Sequence, residues 1–203
     1  MKATEQNHTR TIKALILCGG RSERMGMDKY KVVYTGKRSH LSRTVSLLDQ
    51  LQIATFLSCQ KDQSDIQSNC PVIVDEVNDQ GPLSGIISAF NTYEQPWLVI
   101  PCDMPFITEK CVAYLLNARK VHADVNLFQN SERLHPMPAI WEPSGLQKAR
   151  LAFDSGERSL MKVIHALSIN AVEPINSNWL INVNTAEELS NAQLLIKNGE
   201  DYG

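Results

Sequence analysis

The chain is predicted to fold as an α/β protein: a single-domain, Rossmann-like, mostly parallel sheet with helices on both faces. Three observations point there. Short apolar runs, Ala14–Leu17, Val72–Val74 and Trp97–Ile100 among them, have the unbroken hydrophobicity of strands buried on both faces. Segments of helical period lie between such runs, as the crossovers of a parallel sheet require. Glycines or a carboxylate follow several of the runs, where open α/β sheets bind their ligands. At 203 residues the chain is long enough to bury a proper core. Residues 13–203 are expected to form that domain, and the polar residues 1–12 a disordered leader.

The elements follow in order. Ala14–Leu17 is a strand that opens into a Gly-rich loop, and Leu41–Leu51 is a helix with apolar Val45, Leu47, Leu48 and Leu51. Ala54–Ser58 and Val72–Val74 are short strands, Leu83–Tyr93 a helix and Trp97–Ile100 a strand. Thr108–Ala118 is a helix with Thr108 as N-cap, and Ala123–Phe128 is a strand. Leu134–Trp141 carries Pro136 and Pro138, which cannot donate to a ladder, so an edge strand or an irregular crossing segment is expected. Pro143–Phe153 and Ser159–Leu167 read as helices, and Leu180–Val183 as a further strand. Thr185–Lys197 closes the chain as a helix, with Thr185 and Glu188 spaced as a capping box.

Composition excludes several classes. A net charge of −2 and a pI of about 6.2, without a basic stripe, argue against stable nucleic-acid binding. No apolar run reaches the ~18–20 residues of a membrane span, and the first residues lack the apolar stretch of a secretion signal. No membrane partner is therefore expected, and the location expected is cytoplasmic. The five cysteines include no Cys-x-x-Cys pair, which argues against a zinc site or a disulfide framework. Cys18 and Cys102 read as packing thiols rather than nucleophiles, because no histidine adjoins either.

The chemistry concentrates after the first strand, in Leu17-Cys18-Gly19-Gly20-Arg21-Ser22-Glu23-Arg24-Met25-Gly26-Met27-Asp28-Lys29. Glycines that follow a strand let a ligand lie against the main chain, with amides pointing at phosphate oxygens. Arg24 and Lys29 supply the charge that amides cannot. Neither the Walker loop nor the dinucleotide fingerprint fits, because Gly-Lys-Ser/Thr is missing and the glycine spacing is wrong. A second feature is Pro101-Cys102-Asp103-Met104-Pro105, a carboxylate at the end of a buried strand with proline on both sides. Asp103 has two readings, a cap for the helix near Thr108 or a ligand for Mg²⁺ on a triphosphate. The Gly-rich loop upstream favours the metal.

The spelling Leu-x-Gly-Gly-x-Ser-x-Arg-Met-Gly-x-Asp-Lys resembles the signature of nucleotidyltransferases, and most of all that of the molybdenum cofactor guanylyltransferases. The likeness runs from about Lys13 to about Leu195. It implies a nucleotide-diphospho-sugar transferase-like fold. It further implies transfer of GMP from GTP to the terminal phosphate of the molybdopterin cofactor, with release of pyrophosphate. Magnesium is the cofactor it implies, and other molybdenum-cofactor biosynthesis or target proteins are the partners. Carried over residue by residue, Arg24, Lys29 and Asp103 are catalytic, and Asp103 holds the metal. Leu17, Cys18, Gly19, Gly20, Lys29, Gln60, Asp75 and Asp103 line the nucleotide, next to the Gly81-Pro82-Leu83-Ser84-Gly85 loop. Asp75 is otherwise a turn cap.

Ile181-Asn182-Val183-Asn184-Thr185 resembles the family's acceptor element. On a strand Asn182 and Asn184 would project to one side, which suits a pterin edge; otherwise Asn184 caps the helix. Arg158 in Gly156-Glu157-Arg158 and His135 before Pro136 are further acceptor candidates. Departures from the family pattern are Cys18 for Ala, Gln60 for Asn, and a polar Lys31–Arg38 segment. Two alternatives stay open. One is a related enzyme using CTP on a pterin or sugar-alcohol phosphate, against which Gly19-Gly20 speaks. The other is a non-catalytic nucleotide-binding module of the same fold.

Overall fold

One seven-stranded sheet, in the order β3-β2-β1-β4-β6-β5-β7, carries the whole architecture. The structure is a computed structural model and describes residues 12–19, 29–63, 66, 68–78, 80–131, 133–199 and 202. The leader expected at residues 1–12 lies outside them except for Ile12, which is buried in the core. The strands are β1 (Lys13–Leu17), β2 (Ala54–Cys59), β3 (Val72–Val74), β4 (Trp97–Pro101), β5 (Val125–Gln129), β6 (Leu134–Trp141) and β7 (Ile169–Val172). The helices are α1 (His40–Gln50), α2 (Pro82–Thr92), α3 (Glu109–Asn117), α4 (Pro143–Asp154), α5 (Leu160–His165) and α6 (Ala186–Lys197). All strand pairings are parallel except the two made by β6.

Side chains alternate across each strand and so build two core layers. Ala14 and Ile16 of β1 face α1, α3 and Trp179, whereas Leu15 and Leu17 face α2, α4 and α5. Helices on both faces explain why these strands are apolar throughout. A third, smaller cluster joins α6 through Ala192 to Val32, Tyr34, Phe106 and Val183. Among the described residues no helix is long and apolar enough to cross a membrane.

Two expectations are corrected. Leu134–Trp141 is neither an edge strand nor irregular: β6 lies inside the sheet between β4 and β5. Its prolines are accommodated because the pairing with β5 jumps from Leu127↔Ala139 to Phe128↔His135, so Pro136, Met137 and Pro138 bulge out of the ladder. Leu180–Val183 is not a strand. Leu180 ends a 3₁₀ turn, Ser177–Leu180, and the residues after it run extended, tied to the sheet side by a bond from Val183 N–H to the Asp103 carbonyl (2.8 Å). The last strand is instead β7, parallel to β5 and interrupted in hydrophobicity by Asn170.

Asn170 belongs to a buried polar network that joins β5, β7 and the end of α3. Its Nδ2 donates to the Ala118 carbonyl (2.8 Å) and to Asn126 Oδ1 (3.0 Å). Asn126 Nδ2 donates to Glu142 Oε1, which also accepts from Arg119 Nε at 2.6 Å, while Arg119 Nη2 reaches Glu142 Oε2 at 2.8 Å. The two charged side chains are 8% and 3% exposed. Removing one partner of such a pair strands a buried charge. Arg119→Met is expected to cost ~3–5 kcal/mol in urea unfolding, and Arg119→Met with Glu142→Leu clearly less. Equal losses in the single and double variants would show that the pair itself is not what matters.

Candidate active site

The sheet turns its connections around at β1. From β1 the chain moves outward through β2 to β3, then returns to place β4 on the other side of β1. Crevices at such switch points, beyond the carboxyl ends of the strands, are where open α/β sheets bind ligands. Register puts the ends level: Leu17 pairs with both Ser58 and Pro101, and Cys59 pairs with Val74. The next residues are therefore neighbours. Cys18 N–H donates to the Ser58 carbonyl (2.8 Å), Asp75 N–H to the Cys59 carbonyl (2.9 Å), and Cys102 N–H to the Leu17 carbonyl (3.1 Å).

A cavity of about 280 Å³ opens over these ends. Leu17, Cys18 and Gly19 line it from β1, Gln60 and Asp75 from β2 and β3, and Asp103 from β4, with Lys29 reaching in from a 3₁₀ turn. Arg24 and Gly20 lie outside the described residues. Gly19 brings backbone close to both amide and carboxylate: a Cβ there would sit 3.6 Å from Asp75 Oδ2 and from Gln60 Cγ. Ser58, Met137 and the start of α2 complete the wall. Ser58 gave no signal in sequence beyond ending a strand. Met137 was hidden because the proline pattern masked the bulge that presents it.

The start of α2 is shaped for close approach. Gly81 has φ of 69°, a conformation that favours glycine, and no side chain caps the helix it begins. Its first residue, Pro82, has no N–H, and the Ser84 N–H bonds the Gly81 carbonyl (3.3 Å), while the helix dipole favours an anion at this end. One turn in, Gly85 packs against the strand ends so tightly that a Cβ would come within 2.2 Å of Ser58 Oγ.

Electrostatics divide the cavity. Lys29 Nζ donates to Asp103 Oδ2 at 2.8 Å and to Asn184 Oδ1. These are part-buried groups, with 25% of the Lys29 side chain and 17% of Asp103 exposed. Among the described residues Asp75 has no cation as a hydrogen-bond partner; Ser58 Oγ donates to its Oδ1 at 2.7 Å. Burial lifts its carboxyl from the ordinary 3.8 to about 6, and the Ser58 bond offsets only part of that. The Cys102 thiol beside it and burial push the Cys18 thiol well up, so Cys18 stays protonated and packs. Asp103 is a hard oxygen ligand that already holds a cation, the Lys29 ammonium, and a single carboxylate suits a Mg²⁺ shared with phosphates. Among the described residues no group of three or more His, Cys, Asp and Glu could hold a metal without such help.

The acceptor candidates are only partly brought together: Asn182 and His135 share a cavity, and Asn184 and Arg158 lie elsewhere. Asn184 reaches Lys29 in the first cavity. Asn182 is exposed and lines a second cavity of about 300 Å³, which shares Pro101 and Met137 with the first and also contains Arg133 and His135. His135 is buried, and its Nε2 has no hydrogen-bond partner among the described residues. Burial, and then the Arg133 charge, lower its pKa, so the ring is neutral. Arg158 is not among the described residues lining either cavity. It stacks on Phe153 with its Cζ 3.9 Å from the ring centre, and its Nε bonds Gln80 (2.8 Å) beside Gly81.

Fold and site together define a nucleotide-binding α/β enzyme whose cation–carboxylate pair faces a Gly-lined cavity. Residues 14–172 match the MobA-like NTP transferase domain, and the chain belongs to that family. A molybdenum cofactor guanylyltransferase of Shewanella sp. is 31% identical over 87% of this chain and 92% of its own length. A molybdenum cofactor biosynthesis bifunctional protein of Synechocystis sp. is 28% identical over 86% of this chain, which spans about half (51%) of that protein. Among solved structures, molybdopterin-guanine dinucleotide biosynthesis protein A from Archaeoglobus fulgidus superposes with a TM-score of 0.77 at 19% identity, covering 92% of this chain and 99% of that one. That likeness shows the fold.

The raised Asp75 pKa sets a pH dependence. Folded Asp75 binds its proton near pH 6 and the unfolded residue near 4, so folding takes up a proton in between. Stability is lost as pH rises from about 4 to about 6 and is level above. Asp75→Asn should remove that slope, so the variant gains on the wild type between pH 4.5 and 7 in urea unfolding. A constant difference across that range would mean that Asp75 ionises without cost.

Proposed function

We propose that this chain transfers GMP from GTP to the terminal phosphate of the molybdopterin cofactor in the cytoplasm, releasing pyrophosphate. The observation that carries the reading is the Lys29–Asp103 pair at the switch point, beside the Gly19 backbone and next to a second cavity. The relatives' names, which point to guanylyl transfer and to the molybdenum cofactor, support the choice of nucleotide and acceptor.

An acceptor phosphate oxygen attacks the α-phosphorus. One P–O bond forms, the bond to the β-phosphate bridge breaks, and pyrophosphate leaves with the electron pair. The attacking phosphate is already anionic, so no general base is needed and the protein's task is alignment and charge. Asp103 would hold Mg²⁺ on the phosphates, and the ion supplies Lewis-acid neutralisation there. Lys29 and Arg24 offset the charge that grows on the leaving group. The positive end of the α2 dipole faces anionic oxygens, and Gln60, Asp75 and the Gly19 backbone face the nucleoside. Across the Pro101–Met137 wall, Asn182, His135 and Arg133 provide the polar edge and the positive charge that a phosphorylated pterin needs. Arg158 would meet an acceptor phosphate only by leaving Gln80, the Phe153 and Glu157 carbonyls and the Phe153 ring.

Asp103→Asn should keep the fold and lose transfer by ~10²-fold or more, since an amide cannot replace a carboxylate on a hard cation. Pyrophosphate release with GTP and molybdenum-loaded molybdopterin measures this, and near-normal turnover would remove Asp103 from the site. Titration calorimetry should show GTP binding more tightly than CTP, ATP or UTP, because a site built to pair a base's polar edge leaves its own atoms unsatisfied with the wrong one. Preferential CTP binding would assign the chain to cytidylyl transfer.

A further inference from the structure

Asn182 and Asn184 are one residue apart, yet they address different parts of the molecule. Asn182 lines the second cavity. Asn184 Oδ1 instead accepts a hydrogen bond from Lys29 Nζ, across 155 positions of sequence, and the same ammonium bonds Asp103. The backbone around Asn184 is fixed on both sides. Val183 N–H donates to the Asp103 carbonyl at 2.8 Å, and Asn184 N–H donates to Glu188 Oε2 at 2.7 Å. Glu188 also takes the Thr185 N–H at 3.0 Å, and its own N–H is capped by Thr185 Oγ1 at 3.2 Å. The capping box of α6 thus sets where the Asn184 side chain starts.

A lysine side chain loses much rotamer freedom when its ammonium is localised, so its position depends on what receives it. Asp103 alone is a poor anchor, because it cannot serve a divalent cation and remain the full counter-charge of Lys29. A neutral amide oxygen has no such conflict. It holds the ammonium without cancelling the charge that a phosphate needs.

We infer that Asn184 is a positioning residue for Lys29, anchored by the α6 cap, and that it acts on the nucleotide's phosphates through that lysine rather than on the acceptor. The inference rests on the nucleotidyl-transfer reading. Its consequence is that the two asparagines separate kinetically.

A double-variant cycle tests it. Asn184→Ala should weaken GTP binding and lower kcat/KM for GTP by ~10-fold, leave the acceptor KM within ~2-fold, and keep the melting temperature of the wild type. In a Lys29→Ala background the same substitution should change GTP affinity by less than ~2-fold, since the group it positions is gone. Asn182→Ala should act on the acceptor KM equally in both backgrounds. GTP affinity is read by calorimetry with and without Mg²⁺, and transfer by pyrophosphate release. An undiminished Asn184→Ala effect in the Lys29→Ala chain overturns the inference, as does a raised acceptor KM with GTP affinity intact. If the wild type binds GTP and transfers no GMP, the transfer reading alone fails, and the calorimetric cycle still decides Asn184. A wild type that does not bind GTP overturns both.

Discussion

Everything at this site depends on β1 being bonded along both edges while buried on both faces. Leu17 pairs with Ser58 on one side and Pro101 on the other, and the amides just beyond continue the lacing. No one-residue slip is available, because a slip would exchange the two sets of side chains that fill separate core layers. The level strand ends follow, and with them the gathering of Gly19, Gln60, Asp75 and Asp103. Chemistry here comes from registration of backbone, and the loops only decorate an edge already set.

Small residues and a bulge then decide what that edge can admit. Gly85 lets α2 press against Ser58, and Ser58 in turn is the partner of Asp75. The price is a carboxyl held in a dry setting. On the other flank the β6 bulge frees three residues from pairing and turns Met137 into a partition shared by two cavities.

Much of this was legible beforehand, and the failures have physical causes. Unbroken apolar runs marked β1 and β4 because both faces are covered, and the Thr108 and Thr185 caps were visible as side chains with a donor to receive. The interior position of β6 was not, since proline's missing donor matters only where a ladder bond is required, and a bulge removes the requirement. β7 was overlooked because Asn170 breaks its hydrophobicity, and its amide is satisfied by groups from distant strands. Leu180–Val183 has strand-like alternation yet finds no strand to pair with. The Gly-rich loop and Asp103 could be read as a site because their chemistry is local. The split between Asn182 and Asn184 could not, because it depends on Lys29 arriving from the far end of the chain.

The bond between Lys29 and Asn184 also bears on how the protein is made. Translation delivers Lys29 well before α6, so the sheet from β1 to β6 can assemble while that lysine still lacks its neutral anchor. The small cluster of Val32, Tyr34, Phe106, Val183 and Ala192 closes at the same moment, because two of its members arrive with the segment that carries Asn184 and α6. On the ribosome the strand ends that line the first cavity are therefore in place before Asn184 can reach Lys29.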